Sequence, residues 1–192
     1  MGGMLSQNLL DLVDTAMVGV IGPVALAAVG VGAFANFMCV AVVLGLAAGV
    51  QTLVARLSGE QRLDECAVPL TAGLVASVVI GIPLSVALIQ IAPTLFPLVN
   101  SDPQVVAEGV PYLEVRLVAL AAIGANHCFR GYLNGTEQTR IYLVVIVSMH
   151  LLNVLLNWLL IFGKFGLPAL GSYGAGLGTT ISIILGTALY FV

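Results

Sequence analysis

The sequence carries very little charge: lysine, arginine, aspartate and glutamate together make up 8% of its 192 residues. Soluble domains typically carry about 25% charged residues. A soluble fold of this size also leaves too much surface exposed to hide a chain that is 60% hydrophobic. The shortage of charge therefore excludes an ordinary soluble domain and predicts an integral membrane protein. A net charge of −3 provides no basic patch for nucleic acid.

Cysteine is also scarce. Cys39, Cys66 and Cys128 lie far apart among apolar residues, without metal-binding spacing or a paired disulfide framework, so we interpret them as small core residues. The sequence predicts no cofactor and no resident metal.

The sequence also lacks the basic n-region and cleavage site of a signal peptide. Because the first residues are already apolar, we expect the chain to begin inside its first membrane helix, as a fragment or a trimmed start does.

Long apolar runs such as VVLGLAAGV and LLNVLLNWLLIFG favour membrane helices over the alternating strands of a β-barrel. We predict an all-α integral membrane protein with a six-helix bundle. A membrane helix needs about 20 apolar residues, and turn-rich breaks separate six such segments. The segments are 1–21, 25–55, 67–92, 105–131, 141–162 and 173–192. Two glycine pairs, Gly45–Gly49 and Gly174–Gly178, predict close helix approaches.

The arginines predict the orientation of the bundle. Arg56, Arg62, Arg130 and Arg140 fall at the loops after the second and fourth segments, whereas the loops on the opposite side carry only Lys164. Positively charged loops remain in the cytoplasm. We therefore expect a multi-pass protein of the plasma or inner membrane, in contact with lipid and with a cytoplasmic amino terminus.

The first segment contains a polar stripe. Gln7, Asp11 and Asp14 are four and three residues apart, so they share one face of a helix. An aspartate at the centre of a membrane helix costs about 2.5–3.5 kcal/mol, which predicts a face turned towards the bundle or a water-filled cavity. Asp14 lies deeper in the predicted membrane segment, and we therefore predict it as a functional residue. Asp11 has the alternative of a solvated position near the membrane interface.

Matching polar residues occur in the fifth segment. Asn153 and Asn157 are four residues apart and share a face. They are either hydrogen-bonding contacts between helices or, together with a carboxylate, a hard-oxygen site for H⁺ or Na⁺. His150, one turn earlier, is either a proton relay or a packed neutral side chain. In the fourth segment, Glu114 and Arg116 point in different directions and are not predicted to pair.

Three stretches resemble the MATE family, the multidrug and toxic compound extrusion transporters. They are LVDTAMVG (Leu12–Gly19), FRGYLNGTEQTR (Phe129–Arg140) and LLNVLLNWLLIFGKFGLPALGSYGAGLGTT (Leu151–Thr180), the last being most similar to the NorM-like branch. The resemblance implies a fold of twelve helices in two six-helix lobes around a central cleft. It also implies that this chain is the amino-terminal lobe only, with the carboxy-terminal lobe missing and helix six cut short.

The resemblance assigns a cation or proton site to Asp14, Asn153, Asn157 and Thr179. Gln7, Asp11 and His150 are possible secondary residues, although Asp11 has no family counterpart. One branch of the family has aspartate at the position of Asn157, so the asparagine here favours protonation of Asp14 over a Na⁺ site with two carboxylates. The helix-one proline of the family also has no counterpart in this chain.

These features predict a secondary antiporter that exports small organic, often cationic, drugs or metabolites in exchange for H⁺ or Na⁺, and not an enzyme. The alternative is a non-transporting membrane helix bundle that serves in assembly or anchoring. An intramembrane aspartyl protease fits poorly, since its two aspartates face each other from different helices whereas Asp11 and Asp14 share one.

Overall fold

The computed structural model describes residues 13–191, which form α-helices joined by short connections. Helix α1 occupies residues 13–19, and the first twelve residues of the predicted segment 1–21 lie outside the described part. The helices that follow are α2 (Pro23–Gly59), α3 (Ala67–Val99), α4 (Pro103–Leu117), α5 (Leu120–Gly135), α6 (Thr139–Phe162) and α7 (Gly171–Ala188). Short 3₁₀ turns lie at Leu63–Cys66, Lys164–Gly166 and Leu189–Phe191. Because the described residues contain no β-strand, the predicted all-α class is confirmed.

Four stretches of the described chain are long and apolar enough to cross a membrane. They are Pro23–Gly59, Leu63–Val99, Thr139–Phe162 and Gly171–Phe191. Their outward faces remain apolar: on α3, for example, Val75, Val79 and Ile82 are each more than half exposed. Apolar side chains that no protein group covers match the acyl chains of a bilayer, as expected for a multi-pass membrane protein.

The predicted single helix 105–131 is wrong, because the structure divides this segment into α4 and α5. The helical hydrogen bonding is interrupted at Val118 and Ala119, where the Ala119 amide donates to the carbonyl of Arg116, three residues back, at 3.2 Å. Neither half alone is long enough to be one of the four membrane-crossing stretches. Together they still traverse the bundle, because α5 resumes directly after the turn.

Side-chain hydroxyls from other helices stabilise this interruption. Ser85 on α3 donates to the carbonyl of Leu117, and Thr180 on α7 donates to the carbonyl of Val115, both at 2.8 Å. An unpaired carbonyl is costly in a membrane interior, so partners outside the helix make the break tolerable. The break is therefore part of the packing of α4 and α5 against α3 and α7.

Helix α3 extends beyond its predicted segment 67–92. It contains four prolines, three of them in its interior, and still runs to Val99, so the loop predicted to start at Pro97 starts at Asn100. Membrane helices tolerate internal proline where neighbouring groups satisfy the freed backbone. After the loop, Asp102 caps α4 by accepting a hydrogen bond from the Gln104 amide at 2.9 Å.

The longest seam of the bundle lies between α2 and α5, which run parallel. A methyl group added to Gly131 would lie 2.7 Å from the carbonyl oxygen of Ala47, and one added to Gly135 would lie 2.8 Å from the Val54 side chain. No described residue lies within 4 Å of a methyl group added at Gly45 or Gly49, so the close approach predicted there is not found among residues 13–191. The glycines of this seam are on α5, not on α2.

The parallel seam places the loops 60–62 and 136–138 side by side, and we call this the basic end of the bundle. Arg62 donates to Glu65 at 2.8 and 2.6 Å, and both Arg56 and Arg62 contact Glu60. Hydrogen bonds from Arg56 and then Arg62 hold the pKa of Glu60 below its ordinary value. This compact ionic loop joins α2 to α3.

Candidate functional site

A cavity of about 820 Å³ lies within the bundle. Helices α1, α2, α4, α5, α6 and α7 all contribute side chains to its wall, whereas no residue of α3 does. Pockets for drug-sized ligands are typically about 300–1,000 Å³. The volume therefore suits a small organic compound.

Helices α6 and α7 pack with their backbones almost in contact at one wall of this cavity. A methyl group added to Gly174 would lie 2.8 Å from the carbonyl oxygen of Leu160, and one added to Gly178 would collide with the Asn157 amide. The close approach predicted for Gly174 and Gly178 is confirmed. It brings Thr179 on α7 beside Asn153 on α6.

A hydrogen-bonded chain links α1, α6 and α7. Asn157 Nδ2 donates to Asp14 Oδ1 at 2.9 Å and lies 3.3 Å from Asn153 Oδ1, to which it also donates. Asn153 Nδ2 donates to Thr179 Oγ1 at 3.0 Å, and Thr179 in turn donates to the carbonyl of Ala175 at 2.8 Å. We call Asp14, Asn153, Asn157 and Thr179 the Asp14 cluster. It contains every residue of the primary predicted site.

Burial differs across the Asp14 cluster. Asn153 and Asn157 are almost completely buried, at 1% and 0% exposure, whereas Asp14 and Thr179 are half-buried and reach the cavity. Asn157 Oδ1 is buried and has no hydrogen-bond partner. The Asp14 carboxylate accepts from an amide donor, and the oxygen of that same amide is left as a free acceptor. The cluster thus joins a half-buried carboxylate at the cavity to two buried amides.

The structure describes one of the three residues predicted as secondary members of the site. His150 is buried and lines the cavity one turn before Asn153. Gln7 and Asp11 lie outside the described residues. Between residues 13 and 191, no group of three or more histidine, cysteine, aspartate or glutamate side chains is arranged to hold a metal ion.

Sequence reasoning missed several polar residues of the cavity wall. Asn36 on α2, Arg116 on α4 and Asn126 on α5 all line it. His127 and Arg130 on α5 also line the cavity, and the Arg130 guanidinium lies 5.6 Å from the centre of the Tyr142 ring. Asn36 could have been predicted from the sequence, because it is an isolated amide within an apolar run. The same reasoning selected Asp14, since a polar residue inside a membrane segment is a candidate for a functional site.

Comparison with known proteins places this architecture in a family. The family model MatE matches residues 1–159. The multidrug resistance protein NorM of Vibrio parahaemolyticus is 31% identical over 179 residues, which are 92% of this chain and 39% of the relative. NorM of Burkholderia vietnamiensis is 35% identical over 183 residues, which are 94% of this chain and 39% of the relative. The chain thus spans about two fifths of the length of these relatives.

Solved structures agree with the sequence comparisons. A MOP superfamily transporter from Pyrococcus furiosus, described as having a binding pocket of reverse polarity, superposes with a TM-score of 0.88 at 26% identity, over 97% of this chain and 40% of the other. An outward-facing multidrug resistance MATE transporter of the same superfamily also gives 0.88 at 26% identity, over 97% and 41%. Family model, relatives and fold agree, and the chain belongs to the MatE family of membrane transporters.

Proposed function

We propose that this chain forms one lobe of a secondary antiporter that exports small organic compounds in exchange for a cation loaded at the Asp14 cluster. The second lobe would be a further helix bundle facing the same cleft. The observation that carries the proposal is the hydrogen bond from Asn157 to Asp14, which places a carboxylate on α1 against buried amides at the wall of a drug-sized cavity.

The charge of Asp14 controls how firmly α1 is held against α6. A hydrogen bond to an ionised carboxylate is roughly twice as strong as one to a neutral group. Protonation of Asp14 therefore weakens the contact between Asp14 and Asn157, and α1 can then repack against α6 and α7. A proton that binds the two arrangements with different affinity shifts the equilibrium between them, and this shift is the basis of coupled exchange.

The proton fits this cluster better than Na⁺ does. Asp14 is its one carboxylate, and Asn157 presents a donor nitrogen to it. Sodium coordination would require Asn157 to turn its oxygen towards Asp14, which would cost the hydrogen bond to the carboxylate. We therefore propose H⁺ as the coupling ion, with export driven by an imposed pH gradient and not by a Na⁺ gradient.

The test is efflux by the full-length protein carrying Asp14→Asn, which mimics the protonated carboxyl at nearly equal volume. We expect the variant to insert and fold as well as the parent, because a costly buried charge is removed. Coupled export should nevertheless be lost, because the amide releases no proton. The measurement is dye efflux at matched expression as a function of external pH and, separately, of an Na⁺ gradient.

Two matched controls accompany this test. Asp102→Asn makes the same chemical change at the exposed cap of α4, where asparagine caps as well as aspartate, and should leave export unchanged. Asp11→Asn should have a much smaller effect than Asp14→Asn. Normal pH-dependent export by the Asp14 variant would end the assignment.

A further inference from the structure

The connection between α6 and α7, residues 163–170, is apolar and exposed. It contains no acidic residue and one basic residue, Lys164, and its Phe165 is 88% exposed. The loops 60–62 and 136–138 at the basic end differ from it, since they consist of charged and polar residues only. A loop that runs through water is usually polar. The composition of residues 163–170 therefore indicates surroundings other than water.

Phe165 adopts a backbone conformation that phenylalanine rarely takes. Its φ and ψ are 58° and 30°, in the left-handed region that favours glycine and asparagine. The Phe165 ring meets the Trp158 ring edge to face, with centroids 6.2 Å apart, and most of its remaining surface faces no described residue. A favourable contact has to offset the backbone strain. Residues 13–191 supply only part of it.

The loop folds back along α6 and does not project from the end of the bundle. The amide of Leu170 donates to the carbonyl of Leu160 at 2.9 Å, two turns before the loop. This bond and the ring contact with Trp158 keep Phe165 close to the level of Trp158. The exposed ring thus lies beside the last turns of α6.

Trp158 ends an exposed apolar stripe on α6. Leu151, Leu155 and Trp158 are four and three residues apart, share one face and are each at least 40% exposed. This face is turned away from the cavity, which Asn153 lines from the other side of the helix. An apolar face directed away from the bundle matches the acyl chains of a bilayer. Phe165 extends this lipid-facing stripe past the end of the helix.

The length of α6 gives the depth of these rings. From Arg140, at the basic end, to Trp158 the helix rises about 27 Å at 1.5 Å per residue. The hydrocarbon core of a bilayer is about 30 Å thick. If Arg140 lies at one boundary of the hydrocarbon core, Trp158 and Phe165 lie at the opposite one.

We propose that residues 163–170 are a membrane anchor, in which Phe165 and Trp158 insert between the headgroups and acyl chains of one phospholipid leaflet and Lys164 reaches the phosphates. Aromatic rings are enriched at this boundary, and lysine extends its ammonium from apolar surroundings to polar groups. The bilayer supplies the contact that the exposed ring and the strained backbone otherwise lack. The anchor fixes the depth of α6, whichever compound or coupling ion the protein uses.

The experiment measures the surroundings of a nitroxide label on the full-length protein, reconstituted in vesicles of phosphatidylethanolamine and phosphatidylglycerol after replacement of the native cysteines. The label is attached at Leu167→Cys, which leaves both rings in place. EPR power saturation gives its collision rates with oxygen, which concentrates in lipid, and with a nickel complex, which stays in water. Leu151→Cys provides the lipid reference, and Ser101→Cys, in the exposed loop before α4, provides the water reference.

We expect the ratio of oxygen to nickel collisions at position 167 to lie closer to the lipid reference than to the water reference. Phe165→Asn then tests the ring, because asparagine adopts the left-handed conformation readily but offers no aromatic contact. In this variant the ratio at position 167 should fall towards the water reference. Phe165→Trp keeps an aromatic side chain and should leave the ratio unchanged.

Three results would overturn the anchor. A ratio equal to the water reference places the loop in water, and a label that neither reagent reaches places it against another part of the protein. An unchanged ratio in Phe165→Asn shows that the ring does not hold the loop in the membrane. If Phe165→Asn does not fold, the ratio measured with Phe165 in place decides, since it separates lipid, water and protein surroundings by itself.

Discussion

At Asn157 one amide nitrogen makes both hydrogen bonds of the side chain, to Asp14 and to Asn153, while the amide oxygen has none. Turning the amide over would give its oxygen a different neighbour but would set it against the carboxylate. The hydrogen bonds to Asp14 and to Asn153 together hold this orientation of the side chain. Gly178 lies directly against the amide, so a single hydrogen atom in place of a side chain leaves room for it.

This contact leads to a prediction for Gly178→Ala. The added methyl group would collide with Asn157 Oδ1, so α6 and α7 must separate or the amide must turn away from Asp14. We expect a destabilisation of about 1–3 kcal/mol, typical of overpacking, together with loss of coupled export. Both are measured on the full-length protein, by equilibrium unfolding in detergent and by efflux.

Gly45→Ala is the matched control. It adds the same methyl group to α2 at a position with no described residue within 4 Å, so it should be neutral or stabilising by up to about 1 kcal/mol. Equal effects of the two substitutions would contradict the importance of the contact between Gly178 and Asn157.

Among the elements, α4 and α5 depend most on their neighbours. Their junction has lost regular helical bonding, and the carbonyls near it are satisfied from α3 and α7. Thr187 on α7 adds a third such contact, to the carbonyl of Ala122 at 3.2 Å. The junction is consequently held by side chains far away in the sequence, and α7 contacts it on both sides of the break.

Thr180→Val tests the contribution of these contacts. It keeps the shape of the side chain and leaves the carbonyl of Val115 without its donor, so we expect a loss of about 0.6 kcal/mol and at most about 1.7 kcal/mol in unfolding free energy. Thr71→Val is the control, because the Thr71 hydroxyl donates to Ala67 within its own helix on an exposed face. A similar loss of unfolding free energy in both variants would show that the hydrogen bond from Thr180 to α4 contributes no more than a bond within a single helix.

For the molecule as a whole, the all-α class could be predicted from the length of the apolar runs. The residues of the Asp14 cluster could be predicted from the spacing of the polar residues and from the family resemblance. The break at Val118 could not, because Ser85 and Thr180, which stabilise it, lie in other helices. The spacing of Gly45 and Gly49 predicted a close contact but could not say whether a partner helix faces it. Arg116 was visible as a charge in an apolar segment, yet its place in the cavity depends on how α2 and α4 pack.

The orientation of the whole bundle stays a prediction. The parallel seam between α2 and α5 puts the two arginine-bearing loops at one end, and the positive-inside rule assigns that end to the cytoplasm. In a variant with Cys39, Cys66 and Cys128 replaced, an impermeant maleimide added outside intact cells should label Asp102→Cys but not Arg62→Cys. Permeabilised cells should label both, and labelling of Arg62→Cys in intact cells would reverse the orientation.

The seam between α2 and α5 also sets an order of assembly during synthesis. Translation delivers α2 to the membrane first, and the glycines that receive it, Gly131 and Gly135, emerge only after α3 and α4. Until then the inner face of α2, with Asn36, must be sheltered by lipid, by α1 or by the insertion machinery. Nascent chains that stop before α5 are therefore the species most exposed to quality-control proteolysis.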